Sequence, residues 1–381
     1  MKYILNFVDD LLKNSTPDSP AWNIEQKLEN KPPHWNYIDG CMLKAVMDVY
    51  YATKDEKYLN FTINFIDFYV NEDGEILGYK EEDYNCDNIN EGKVLFDLYK
   101  LTGKERYKKA IERLYKQLEN HPRIDTGNFW HKQIYPNQVW LDGLYMVQPF
   151  YLQYEMFFND KKNYLDVFKQ FKNVYDIMKD SETGLYFHGY DESREMFWAH
   201  STTGLSPNFW TRSIGWFTMA LCDTIEVMDD MFFHEYQTLQ TYLKEALDAV
   251  LKFRHEETKL FFQVTNLPDA KDNYLETSGT CAIAYSLLKG ARLGYLPEYY
   301  WDYGNEIFES VIENKLDAEN FTLKDICLVA GLGGMPGKGD YKLRDGTVEY
   351  YVSEPKVDND AKGVAPFLFA FSEVLYKKDL L

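Results

Sequence analysis

The first residue in this chain placed to do chemistry is Asp142, inside the stretch N-Q-V-W-L-D-G-L-Y-M from Asn137 to Met146. A lone Asp ahead of a long apolar segment, here Leu144 to Phe158, is first of all a helix N-cap. Two features point beyond capping. No Glu or Gln stands at Tyr145 to complete a capping box, and Trp140 and Tyr145 would wrap the acid in apolar surface, which raises a carboxyl pKa. A carboxylic acid kept protonated near neutrality is a general acid. Asp87 is a second candidate carboxylate, and Arg212, His131 and His188 are the polar groups with comparable aromatic neighbours. Carboxylates, histidines and an arginine among aromatic rings suit a carbohydrate site. Taken alone, His188 is more readily a structural hydrogen-bonder, and only its loop setting raises the functional reading.

Other chemistries lack their signatures. The seven histidines form no H-x-H or H-E-x-x-H, so no metal is expected. There is no G-x-G-x-x-G after a strand and no G-x-S-x-G elbow, and no cofactor is expected. The loop Gly331–Gly339 is glycine-rich but lacks the G-K-[ST] ending, so it reads as a flexible rim loop.

The elements that must position these groups follow a repeat. The phrase at Thr53–Tyr58 returns at Thr102–Tyr107 and, more loosely, at Asn159–Tyr164, with echoes at Tyr236 and Tyr299. Each copy joins a strongly apolar helix to an amphipathic one, as in Lys104 to Glu119 with Tyr107, Ile111, Leu114 and Leu118 on one face. Alternating buried and surface helices at this period predict a helical toroid. About six pairs fit, with an amphipathic N-terminal helix (Ile4, Leu5, Val8, Leu11, Leu12) and a C-terminal one at Pro366–Tyr376. The expected fold is an all-α (α/α)6 barrel, a six-hairpin toroid with a few short strands in its rim loops, for instance at Gly184–Tyr190 and Leu260–Val264. Residues 1–381 are expected to form a single catalytic domain, since no linker interrupts them. The residues ahead of the inner helices (Tyr37 and Asp39, Asp87 and Asn88, Trp140 and Asp142, Trp210 and Arg212, Thr277 and Ser278) should then gather at one mouth. Helix N-termini there favour an anion.

The net charge of −20 argues against nucleic acid or an anionic membrane as partner. No stretch reads as a signal peptide or a membrane span. Five scattered cysteines without a C-x-x-C fit free thiols in the cytoplasm. The expected partner is a small acidic oligosaccharide, and oligomeric state is not encoded in any visible pattern.

Four motifs in order, V-W-L-D-G-L-Y-M (139–146), F-W-T-R-S-I-G-W (209–216), T-S-G-T-C-A-I-A-Y-S-L-L-K-G-A-R-L-G-Y-L (277–296) and D-G-T-V-E-Y-Y-V-S-E-P (345–355), resemble glycoside hydrolase family 105, the unsaturated rhamnogalacturonyl hydrolases. D-N-I-N-E-G-K-V-L-F (87–96) falls in register with them. The resemblance implies removal of a 4,5-unsaturated uronic acid from lyase-generated pectic oligosaccharides, by hydration of the double bond. It implies Asp142 as general acid and base, with Asp87 holding substrate hydroxyls and keeping Asp142 protonated through like-charge repulsion. It further implies Trp140, Trp210 and Trp216 as stacking surfaces, Arg212 and His188 on the uronate, and Tyr37, His131, Lys132 and Met146 around the adjoining sugar. The alternatives are a family 88-like unsaturated glucuronyl hydrolase or epimerase on the same toroid, and a carbohydrate-binding protein without catalysis.

Overall fold

The computed structural model describes residues 1–334 and 343–379. Twelve of its helices build a closed double ring. The inner ring consists of α2 (Tyr37–Thr53), α4 (Lys93–Thr102), α6 (Leu141–Phe158), α8 (Thr211–Val227), α10 (Thr277–Arg292) and α12 (Ala361–Asp379). The outer ring consists of α1 (Lys2–Lys13), α3 (Glu56–Tyr69), α5 (Glu105–Asn120), α7 (Tyr164–Met178), α9 (Phe233–Leu251) and α11 (Tyr300–Lys315). Neighbouring inner helices pack in sequence around the axis, and α12 closes the ring on α2. A short helix, Asp87–Asn90, precedes α4 and packs on α6. Phe7 of α1 meets Phe367 of α12 with ring centroids 6.4 Å apart. This is the six-hairpin helical toroid that the repeat predicted.

Composition explains which helix goes where. Helix α6 is buried from Leu141 through Leu152 without interruption, as expected of a helix that is apolar on most sides. Helix α5 buries only a stripe, including Tyr107, Ile111, Leu114 and Leu118. Close approach inside the ring requires small residues: a Cβ added at Gly279 of α10 would stand 2.8 Å from the backbone of Thr211 and Arg212 on α8.

The repeated phrase is a turn with a clasp. Thr53 and Thr102 hydrogen-bond back to the carbonyls of Val49 and Leu98, ending α2 and α4. In these two copies the tyrosine then reaches an aspartate on the preceding outer helix, Tyr58 to Asp9 and Tyr107 to Asp67. At the last echo the clasp falls to Tyr300, which bonds Asp248, one position after the Tyr299 expected from the spacing.

The two mouths of the toroid differ. The connections from inner to outer helices are short turns at 54–55, 103–104, 159–163, 228–232 and 293–299. The returns to inner helices are long, at 14–36, 70–92, 121–140, 179–210, 252–276 and 316–360, and they hold the strands. A cavity of about 530 Å³ opens among the C-terminal halves of all six inner helices, lined for example by Asp48, Asp97, Gln153, Glu226, Lys289 and Glu373. The six C-terminal ends therefore share one mouth, and the six N-terminal ends share the other.

Candidate active site

At the N-terminal mouth, a small sheet sets the geometry. Strand β1 (Gln138–Trp140) runs antiparallel to β2 (Gly189–Asp191), with Trp140 opposite Gly189. The Leu141 amide donates to the carbonyl of His188 at 3.1 Å. That bond ties the loop before β2 to the first turn of α6. His188 Nε2 consequently lies 3.2 Å from Asp142 Oδ2. The other ring nitrogen, Nδ1, shares a 2.7 Å hydrogen bond with the Tyr351 hydroxyl.

Asp142 is the second residue of α6, and Trp140 occupies the cap position without a side-chain capping bond. The capping role is thus overturned. The expected rise in its pKa is overturned as well. Burial is the largest influence and pushes the carboxyl up, but His188, His131 and a backbone hydrogen bond together outweigh it and hold the carboxyl below the usual carboxylate value. The carboxylate form of Asp142 is the favoured one in the unliganded chain.

Asp87 opens the short helix ahead of α4, and its Oδ2 pairs with Lys132 Nζ at 2.6 Å. Its Oδ1 lies 3.7 Å from His131 Nε2. The lysine neutralises Asp87 locally, so like-charge repulsion from Asp87 does not protonate Asp142. Burial pulls the Lys132 ammonium down most strongly, but Asp87, Tyr135 and Glu25 together outweigh it and hold Lys132 above its ordinary pKa. His131 is fully enclosed and burial lowers it to about 4, so it is neutral near pH 7. Its ring stacks on Trp140 with centroids 4.3 Å apart and planes 20° apart. A Cβ on Gly143 would come within 3.2 Å of His131 Nδ1, so glycine at 143 leaves His131 room between the two acids.

The remaining expected residues fall into three groups. Tyr37 opens α2 and, with Asp87, Asn88 and Lys132, lines a cleft of about 320 Å³ at this mouth. Trp210 precedes α8, donates from Nε1 to Gln263 at 3.0 Å and stacks near Tyr351. Arg212 is the second residue of α8, matching Asp142 on α6, and its guanidinium lies 4.6 Å from the Trp210 ring centre. It is buried, and Nη1 donates to the Cys327 carbonyl and to Ser278 Oγ. Met146 and Trp216 lie deeper, one helical turn below Asp142 and Arg212, and both are buried. Asp39 and Ser278 serve structure. Asp39 accepts bonds from Trp22, Asn23 and Asn36, and Ser278 sits under the Glu276 cap of α10.

Two participants escaped the sequence reading. Tyr351 lies within a recognised motif, D-G-T-V-E-Y-Y-V-S-E-P, yet nothing local marks it as the partner of a histidine 163 positions away. Tyr135 stacks on Trp140 at 5.0 Å, in a cluster with Trp198 and Leu332. Of the Gly331–Gly339 loop, residues 335–339 lie outside the described residues. Its start is anchored by Gly333, which exchanges backbone bonds of 2.8 and 3.0 Å with Arg344. Among the described residues, no group of three His, Cys, Asp or Glu side chains is placed to hold a metal. No described helix is long and apolar enough to cross a membrane.

Comparisons with known proteins bear on this geometry. The family model described as Glycosyl Hydrolase Family 88 matches residues 12–378. A solved glycoside hydrolase of family 105 from C. acetobutylicum superposes with a TM-score of 0.89 at 43% identity, covering 99% of this chain and 100% of its own. A protein of Agrobacterium fabrum is 35% identical over 60% of this chain and 97% of its length. The unsaturated rhamnogalacturonyl hydrolase YesR of Bacillus subtilis is 25% identical over 68% of this chain and 72% of its own.

Proposed function

Since the chain belongs to glycosyl hydrolase family 88 and is a glycoside hydrolase of the family 105 kind, we propose that it removes a 4,5-unsaturated uronic acid from lyase-generated rhamnogalacturonan oligosaccharides. The observation that carries this reading is the Asp142–His188 pair at 3.2 Å, set beside the Trp140–His131 stack at a mouth formed by helix N-termini. Free N–H groups and the helix dipoles there favour an anionic sugar in a chain whose net charge is −20. The likeness to YesR supports the choice of a rhamnogalacturonan substrate.

In this mechanism Asp142 protonates C4 of the enol ether and then, as carboxylate, activates the water that adds at C5. The resulting hemiketal opens and releases the neighbouring sugar. The unliganded site favours the Asp142 carboxylate, so the proton must arrive with the substrate. A uronate placed beside Asp142 adds a like charge, which raises the Asp142 pKa and draws a proton onto the carboxyl. Asp87, fixed by Lys132, accepts from substrate hydroxyls. His188, oriented by Tyr351, and Arg212 meet the uronate. Trp140, Trp210 and Trp216 provide ring surfaces, while Tyr37, His131, Lys132 and Met146 shape the adjoining subsite. The chain acts as one catalytic domain over residues 1–381. Five free, buried cysteines support action in a reducing cytoplasm.

The test is incubation with a lyase digest of rhamnogalacturonan while following loss of ultraviolet absorbance from the conjugated double bond. Loss of absorbance with release of rhamnose-terminated product is expected. Turnover of unsaturated glucuronides alone would move the substrate class, and no turnover of any unsaturated uronide would refute the reading.

A further inference from the structure

Residues three and four apart share a helix face. Tyr145 therefore stands one turn below Asp142 on α6, and Trp216 one turn below Arg212 on α8. Their rings stack with centroids 4.8 Å apart and planes 23° apart. This pair is an aromatic floor at the base of the substrate mouth. Lys93 links this pair to the 530 Å³ cavity of the opposite mouth.

Lys93, the first residue of α4, lines that cavity and places Nζ 3.4 Å from the centre of the Tyr145 ring. The residue is 5% exposed, and its ammonium meets no protein hydrogen-bond acceptor among the described residues. The neighbouring charges are committed elsewhere. Lys289 of α10 holds Asp223 of α8 at 2.7 Å, and Lys44 of α2 holds Asp48 and Asp97 at 2.9 and 3.2 Å. Cys41 of α2 stands near Lys93 as a buried thiol pushed up to about 12 by burial. A buried ammonium without an acceptor is costly, and the face of an aromatic ring is the compensation available to it here.

We propose that Lys93 is a positioning residue that presses on Tyr145 from behind, so that the Tyr145–Trp216 stack holds the plane on which the substrate ring is received. The inference rests on the function proposed above, with Trp216 facing substrate. Leucine or methionine would fill the same volume at lower cost, so the charge at 93 has a use that packing alone does not give.

The experiment combines K93M and K93R with W216F and measures KM and kcat on the unsaturated disaccharide. For K93M, KM should rise roughly 10- to 30-fold, the scale of a desolvated cation–π contact, with kcat nearly unchanged. K93R should stay close to wild type. In the W216F background, K93M should add almost nothing, because residues acting through one another are not additive. Burial lowers the Lys93 ammonium to about 7, so the wild-type KM should climb as pH rises through that value, and the K93R profile should not. An unchanged KM in K93M, or the same factor in both backgrounds, overturns the proposal. If K93M does not fold, the K93R comparison across pH decides alone. If the wild type consumes no unsaturated uronide, the functional reading fails separately. The stack is then judged by the fluorescence difference between wild type and W216F: a transition near pH 7 that K93R abolishes supports it, and a flat titration overturns it.

Discussion

His188 and Asp142 stand 3.2 Å apart although they belong to different hairpins, and the imidazole helps to hold the carboxyl below its usual range. Substitution of His188 by Ala removes the largest of the groups that oppose burial at Asp142. The Asp142 pKa should then move upward, and the carboxylate-dependent limb of the kcat/KM profile should move to higher pH with it. Loss of activity without displacement of that limb would show that His188 acts on substrate alone.

Binding should draw in a proton. Asp142 is a carboxylate in the resting site and must be protonated to act as the acid. D87N should turn over slowly, because a contact to substrate hydroxyls is lost. Its calorimetric titration with substrate in buffers of different ionisation heat should show uptake approaching one proton per site near neutrality. Uptake should vanish in D142N.

Asp142→Asn keeps the shape of the side chain, and Asp142 is not a cap, so the variant should fold normally. General acid–base groups contribute about 10²–10⁴ in rate, and kcat should fall by at least that factor. Near-normal turnover by a folded variant would remove Asp142 from the mechanism.

Water should leave a specific mark. In heavy water, deuterium should appear at C4 of the released uronate, and in labelled water the new oxygen should enter at C5. Saturated galacturonosides should not be cleaved. Oxygen label at the anomeric carbon would mean direct glycoside hydrolysis, with Asp87 promoted to nucleophile or base.

Acid should unfold the chain through two enclosed histidines. Burial lowers both His121 and His131 to about 4, against an ordinary value near 6.5. Their neutral forms support the fold fully above about pH 6.5, and that support is lost as pH falls toward 4, on the order of 3 kcal/mol for each. Asp39 acts oppositely: burial raises it to about 6, so its ionisation costs stability as pH rises from about 4 to 6. Chemical denaturation across this range should show H121Q losing less stability on acidification than wild type. D39N should remove the Asp39 part of this pH dependence.

The double ring was legible because each helix carries its own burial pattern: the all-round apolarity of Leu144–Phe158 and the single stripe of Lys104–Glu119 are local facts. The mouth followed from helix order, and the family from motifs spread along the whole chain. The state of Asp142 was not legible, because it depends on an imidazole brought in by a sheet between residues 138–140 and 189–191. Nor was the neutralisation of Asp87, which needs the 121–140 loop to fold back and deliver Lys132. Tyr351 and Lys93 are likewise defined by what lies across the toroid from them. Pattern in a sequence reports which face of an element is covered; it does not report which polar group covers it.

The unequal length of the connections gives the molecule a front of long loops, which carries the candidate site, and a back of short turns. The turns at 54–55 and 103–104 are exposed, with Lys54 and Gly103 in left-handed backbone, and they lie on the face away from Asp142. A cysteine handle, affinity tag or surface linker placed at Lys104 would orient an immobilised enzyme with its substrate mouth toward solution. The same attachment within 121–140 or 179–210 would bear directly on the loops that carry Lys132 and His188.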